Sequence, residues 1–425
     1  MAASEGSETR VGNPAEWMPK GVDSLVVFDD LLGSFGPLTD LRAAFELRAG
    51  LGTLLERIEA ACGRRADRLE CDPRVAAVVA ERTGRSVNTG GQGTCLVVNG
   101  RLASTSVLRM LSSASVLVDA SGALVAAIVP ADRLGGLHAS GFAASDLGPT
   151  TTVDAELVAT PWAIAARIAT TLAEDIEHLH DGSERRHLSP HEGQSFGTHP
   201  ILIHPSATLG PTCVIDASKG AVVVGPHAVV RPFAVLVGPC AILDASTVAE
   251  RSLIKASTVI GPHCRAGGEI GGTIFQAYSN KSHDGHLGDS FVGEWVNIGA
   301  GTDNSNLLNT YGEVIVRLEP DGGLVRTGRQ FWGTIIGDHA KLAIGTRLMT
   351  GTTIGTGAMI AQSRPPSSLV PRFGWLVDGA DSARTFRLDK FMETARAMMS
   401  RRGHSPSAAL EQAIGALHAK STGTG

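Results

Sequence analysis

The chain has 425 residues, a net charge of −5 and a pI near 6.3, so it offers neither nucleic acid nor an anionic membrane surface a general attraction. Hydrophobic residues make up 43%, enough for more than one core, and the length fits two or three domains. Glycine, at 51 residues, is enriched and aromatic residues fall to 4%, which suits a turn-rich backbone with little room for large rings. No apolar run is long enough to span a bilayer, and the start MAASEGSETR has no signal-peptide core, so the cytoplasm is the expected location and no membrane partner is expected.

In chain order, residues 24–180 mix strand-like runs (Leu25 to Phe28, Cys95 to Val98, Ser115 to Val118, Ala123 to Val129) with helical stretches (Leu41 to Ala61, Pro161 to His178), which predicts an α/β domain. The polar segment 181–200 reads as a linker. From Val224 an aliphatic residue then recurs at every sixth position: Val230, Leu236, Ile242, Val248, Ile254 and Ile260. A small residue stands two places before most of these, as Ala228, Ala234, Cys240, Ser246, Ser252 and Thr258. The register returns at Ile336, Leu342, Leu348, Ile354 and Ile360. Neither a helix near 3.6 nor a strand at 2 repeats in this way, so residues 201–365 are predicted to form a β-helix of stacked hexapeptide coils. Segment 380–425 is predicted to be helical, with apolar spacing at Phe391, Ala395 and Met398 and a further helix from Ser407 to Lys420. The whole is an α+β multidomain chain.

Six cysteines show no metal or redox spacing, and Cys213, Cys240 and Cys264 fall on the small-residue position of the coils, so no metal site is assigned. The register lapses between Cys264 and Val292 and again between Thr302 and Thr334. These lapses hold NKSHDGHLGD (Asn280 to Asp289) and WVNIGAGTDNSNLLNTYG (Trp295 to Gly312). Irregular loops on a rigid scaffold are where sites tend to sit. A histidine there can take a proton from an amine, and asparagine amides can hold a sugar or an oxyanion.

The stretch KSHDGHLGDSFVGEWVNIGAGTDNSN resembles the acetyltransferase core of the bifunctional N-acetylglucosamine-1-phosphate uridylyltransferase / glucosamine-1-phosphate acetyltransferase family. The resemblance implies a left-handed β-helix that assembles as a homotrimer. It implies His283 as catalytic base, Arg231, Lys281, His286, Asn297 and Asn306 as substrate-binding residues, and Ala300 at the acetyl-CoA contact. Histidine at 286 replaces the family's tyrosine, Asn306-Leu307 replaces its asparagine-tyrosine pair, and Asp303 to Gly333 replaces a shorter loop.

The layout FDD, PLT, ELRAG, TLLER and NGR of the first domain resembles sugar nucleotidyltransferases of a variant bacterial branch, in which Arg42, Arg48 and Arg101 would hold phosphates. The glycine loop expected after Phe28 is missing, and Asn99 and Arg101 stand near the place of a Mg²⁺-binding aspartate. The leading expectation is an acyl-CoA-dependent transferase acting on an amino sugar phosphate. The alternatives are nucleotidyl transfer from a nucleoside triphosphate with Mg²⁺ in the first domain, and a non-catalytic sugar-nucleotide-binding scaffold.

Overall fold

The computed structural model describes residues 19, 21–111, 115–134, 137, 143–178, 185–380 and 384–423; the start of the chain and the first residues of the expected linker lie outside these. The first domain is a seven-stranded sheet: β1 (Ser24–Phe28), β2 (Arg68–Glu70), β3 (Ser86–Val87), β4 (Thr94–Asn99), β5 (Val116–Val118), β6 (Leu124–Pro130) and β7 (Thr150–Thr152), in the order β3-β2-β1-β4-β6-β5-β7. β1 lies parallel to β2 and β4, whereas β6 runs antiparallel to β4 and β5. Helix α1 (Leu54–Cys62) starts at a reciprocal cap between Thr53 and Glu56 and stops at Gly63 in the left-handed region. Helix α2 (Pro73–Thr83), which the hydrophobic pattern alone did not reveal, begins on an Asp72 cap with proline in its first turn.

The helix expected from Leu41 forms only from Leu54. Upstream, the chain is drawn out by contacts at Arg48 and by Gly50, where a Cβ would lie 2.3 Å from the Asp175 carboxylate. The stretch expected as one helix after Pro161 is two, α3 (Pro161–Ala166) and α4 (Ile168–His178), with a break at Arg167.

The second unit is a hexapeptide parallel β-helix whose coils stack three parallel ladders into a prism. We call the faces A (through Val222–Val224, Cys240–Ile242 and Thr258–Ile260), B (through Val229–Val230, Arg265–Ala266, Asn280–Lys281 and Asn297–Ile298) and C (through Val235–Val237, Glu269–Gly271 and His286–Gly288). Inward residues, among them Val230, Leu236, Ile242, Val248, Ile254, Ile260, Ile336 and Ile354, are buried in one continuous core. Each such side chain contributes on the order of 1.5–3 kcal/mol.

The coil begins inside the segment read as a linker, because Gly193–Gly197 pairs with Cys213–Ala217. It also runs past the expected end, to Gly374–Val377. Where the hexad register lapses the coiling continues, with shortened corners. Ala266 on face B and Ile270 on face C are four residues apart instead of six, and Ile270 to Phe275 and Leu287 to Val292 are five. The insertion is also shorter than expected. Asp303–Asn304 stays in the coil, paired with Arg347–Leu348, and the chain then leaves to form the hairpin Ile315–Arg317 / Leu324–Arg326.

Face A is apolar on its outer side as well. Leu202, Val223, Ala241, Val259, Ile274, Phe291 and Ile335 are buried against Phe35, Leu38, Leu47, Leu54, Trp162, Ile164, Ile168 and Leu172 of the first domain. The insertion joins the same cluster through Val314, Val316, Leu318 and Trp332, with Trp332 edge-on to Trp162 at 5.9 Å. Arg42 crosses this interface fully buried, meeting Asp338 in a bidentate pair at 3.0 and 2.7 Å and Glu294 at 3.2 Å. Helices α5 (Leu388–Ser400) and α6 (Ala408–Thr422) close the structure, packing Phe391, Met392, Ile414 and Leu417 with Leu41, Val78 and Phe373 of the same chain.

Replacing Arg42 by Met would leave Asp338 and Glu294 without their cation in a buried interface. A loss of about 3–5 kcal/mol in urea denaturation is expected. A change within about 0.5 kcal/mol, the range of a neutral surface substitution, would mean that docking rests on apolar contact alone.

Candidate active site

The corner between faces B and C carries Arg231, His283 and Ala300. His283 is exposed there, and Ala300 occupies the same corner one coil on. Just before each, on face B, stand Asn280 and Asn297, paired in register; Asn280 Nδ2 donates to Asn297 Oδ1 at 3.0 Å, and Ser282 Oγ donates to Asn280 Oδ1 at 2.6 Å. The Asn297 amide nitrogen has no hydrogen-bond partner among the described residues, so its two N–H groups face outward for a ligand.

Lys281 is not a surface phosphate ligand here. It occupies the inward, aliphatic position of its coil, between Ala266 and Ile298, and is 1% exposed. Its ammonium donates to the carbonyls of Gly267, His283 and Asp284 at 3.2 Å and of Gly285 at 2.8 Å. Burial lowers its pKa to about 8. Glycine makes this arrangement possible. Gly268 has φ +79° at the shortened corner, and a Cβ on it would lie 2.5 Å from the Gly285 carbonyl. The buried ammonium therefore ties one coil to the loop that presents His283.

His286 and Asn306 lie on a different part of the prism. His286 is outward on face C, with Nδ1 3.4 Å from Glu269 Oε1 and its backbone N–H donating to Asp303 at 2.6 Å. Asn306 Nδ2 donates to Asp289 Oδ2 at 2.6 Å at the corner between faces C and A. The two approach across Gly288, where a Cβ would sit 2.7 Å from His286 Nε2 and 2.8 Å from Asn306 Nδ2. Arg231 is exposed but three coil steps from the His283 coil, on the order of 14 Å at ~4.8 Å per step. Within one chain, then, His283, Ala300 and Asn297 come together; Arg231, His286 and Asn306 do not join them. Asn280 belongs with the first group. Its kinship with Asn297 was hidden because the shortened corner at Gly288 to Ser290 sets them 17 residues apart, one fewer than three full hexads.

The first-domain arginines expected to hold phosphate are spent internally. Arg42 is the interface ion pair. Arg48 Nε donates to the Gln276 carbonyl at 3.1 Å and its NH1 to the Leu51 carbonyl at 2.8 Å. Arg101 grips Asp30 at 2.7 and 2.6 Å and also reaches the carbonyls of Leu157 and Val158. Burial works against ionisation of Asp30, but Arg101 outweighs it and holds the carboxyl below its ordinary range.

These contacts fill the crevice at the ends of β1 and β4, where a parallel sheet of this kind would take a ligand. Phe45 closes it further, since a Cβ on Gly100 would lie 2.6 Å from Phe45 Cβ. A Mg²⁺ ion does not fit this donor set. Asp29 accepts backbone N–H groups from Leu31 and Ala44, Asp30 is taken by Arg101 and Asn99, and among the described residues no group of three or more acidic, histidine or cysteine side chains could hold a metal. No helix among the described residues is long and apolar enough to cross a membrane.

Residues 25–184 match the sugar nucleotidyl transferase family. The chain is 29% identical over 162 residues to the bifunctional protein GlmU of Bordetella parapertussis, covering 34% of this chain and 32% of that protein. It is also 29% identical over 136 residues to a bifunctional sugar-1-phosphate nucleotidylyltransferase/acetyltransferase of Sulfurisphaera tokodaii, covering 32% and 28%. The matched stretches thus span about a third of these relatives. Among solved structures, the UDP-N-acetylglucosamine acyltransferase of Francisella novicida aligns over 50% of this chain and 73% of its own at 15% identity, with a TM-score of 0.29 that is too low to weigh. The chain is thus similar, at modest identity and over about a third of its length, to bifunctional proteins, one of them a sugar-1-phosphate nucleotidylyltransferase/acetyltransferase, and its residues 25–184 match the sugar nucleotidyl transferase family.

Proposed function

We propose that this protein is an acyl-CoA-dependent transferase that acylates the amine of an amino sugar phosphate at the corner between faces B and C. The observation that carries the reading is the presentation of His283, outward on a loop whose carbonyls are gripped by the buried Lys281 ammonium, beside the unpaired amide N–H groups of Asn297. In this reading the imidazole of His283 takes a proton from the acceptor amine as its nitrogen attacks the thioester carbonyl. The C–N bond forms, the C–S bond breaks, and the departing thiolate takes the proton from the His283 imidazolium to leave as the CoA thiol. Asn297 and Asn280 hold sugar hydroxyls, and Ala300 leaves room for the thioester. Acetyl-CoA is the cosubstrate implied by the resemblance to the bifunctional relatives.

Among the described residues no domain packs on the outside of face C, and Phe233 and Ile344 stand 58% and 79% exposed at its corner with face B. We take this as the surface of a homotrimer that brings a neighbour's Arg231, His286 or Asn306 toward His283, in a cytoplasmic protein. Nucleotidyl transfer in the first domain is the second reading. The family match over residues 25–184 favours it, and the filled crevice between β1 and β4 speaks against it.

His283→Ala is expected to lower acetyl transfer to glucosamine 1-phosphate by about 10²–10⁴-fold while leaving the melting temperature near that of wild type. Transfer at the wild-type rate would remove His283 from the mechanism. Lys281→Met, which suits an aliphatic coil position, is expected to keep the coil folded but reduce kcat about 10-fold or more, because the His283 loop loses its grip. The same variant tests the buried charge. The folded state releases the Lys281 proton near pH 8 and the unfolded state only near the ordinary 10.5, so wild-type stability should rise between those values. Lys281→Met should lack that rise, and an identical pH profile would place the lysine in water.

A further inference from the structure

The acceptor in the proposed reaction bears a phosphate, yet Arg231 is too far along the coil to meet it within one chain. Another basic group lies closer. Arg265 stands outward on face B in direct register with Asn280, one coil step from it and two from Asn297. It is exposed and forms no ion pair among the described residues. The connection between α5 and α6 lies against the corner between faces A and B. His404 is edge-on to Tyr278 at 5.0 Å and to Trp295 at 5.8 Å, and Arg402 NH1 donates to the His263 carbonyl at 3.0 Å, two residues before Arg265.

This connection therefore brings Arg402 toward Arg265, with Arg401 next to it in the chain. Burial, and after it the charge of Arg265 and then of Arg401, lowers the basicity of Arg402, against opposing contributions from Cys264 and Tyr278. Position at the end of α5 accounts for cations at 401 and 402 through the helix dipole. It does not account for Arg265, which faces them from the coil.

We propose that Arg265, Arg401 and Arg402 form an anion site that holds a phosphate group of a substrate lying along face B. The proposal rests on face B and its corner with face C as the site of transfer, and it gives the C-terminal helices a role in binding. Guanidinium groups suit it because each can make paired hydrogen bonds to phosphate oxygens. With the phosphate at Arg265, the body of the substrate crosses Asn280 and Asn297 toward His283, one to two steps of ~4.8 Å along the prism.

Isothermal titration of the full chain with glucosamine 1-phosphate and, separately, with CoA tests this without requiring turnover. Arg265→Ala is a surface change expected to keep the wild-type melting temperature; the double variant Arg401→Ala/Arg402→Ala also removes the half-buried bond from Arg402 to the His263 carbonyl, so its melting temperature is measured alongside its binding. Each is expected to weaken binding of the phosphate-bearing ligand roughly 10-fold or more, with a smaller salt dependence. Loss confined to glucosamine 1-phosphate assigns the site to the acceptor, and loss confined to CoA assigns it to the phosphates of the cosubstrate. Unchanged binding of both ligands in both variants overturns the site. Loss of phosphate binding in Arg265→Ala alongside full activity of His283→Ala would keep the anion site and sink only the acyl-transfer reading.

Discussion

An outer face of a β-helix that is as apolar as its core cannot stay in water, and covering face A organises the rest of this molecule. Val223, Ala241, Val259, Ile274, Phe291 and Ile335 form a continuous apolar strip along the prism. Helices α3 and α4 and the segment around Phe35 and Leu38 bury it, and the hairpin insertion wraps the far edge with Trp332. The connection from β1 to α1 supplies the polar contacts of the same interface, through Asp40 with Arg372, Arg42 with Asp338 and Arg48 with Gln276. In a sheet of this kind that connection is where backbone amides would cradle nucleotide phosphates. Here it is a docking strap.

That constraint also decides which surface is left for chemistry. Face A is closed by the first domain, and part of the corner between faces A and B is closed by the connection before α6. The corner between faces B and C stays open, and it is where the coil shortens from six residues to four at Ala266 to Ile270. A tightened corner puts more carbonyls in one place than a regular coil does. The Lys281 ammonium satisfies them, and in doing so fixes the loop that bears His283. A charged group at an aliphatic position thus serves geometry directly.

Much of this architecture is written in the chain. Residues such as Ile242 and Ile354 declare the coil because an inward position tolerates only a narrow range of sizes. The covered face is not legible in the same way. Val223 and Ala241 look like ordinary strand residues, and nothing local says that their outer side is buried. Arginine was misread for a related reason. Arg42 and Arg101 carry the same charge whether they meet phosphate or carboxylate, and Arg42 finds Asp338 296 residues away. The motif around His283 was legible as a loop with chemistry. That Lys281 points inward, and that Asn280 stands beside Asn297, depends on shortened corners that a strict six-residue count cannot follow.

The central claim is that group transfer has moved to the coil while the first domain serves as its docking body. The direct measurement follows free thiol and pyrophosphate side by side, with the full chain, glucosamine 1-phosphate, acetyl-CoA, UTP and Mg²⁺ in one reaction. The account predicts steady thiol release with pyrophosphate no faster than in the protein-free control. Brisk pyrophosphate release without thiol would contradict it, and would mean that the crevice between β1 and β4 opens to a nucleotide despite the Asp30–Arg101 pair and Phe45 that fill it.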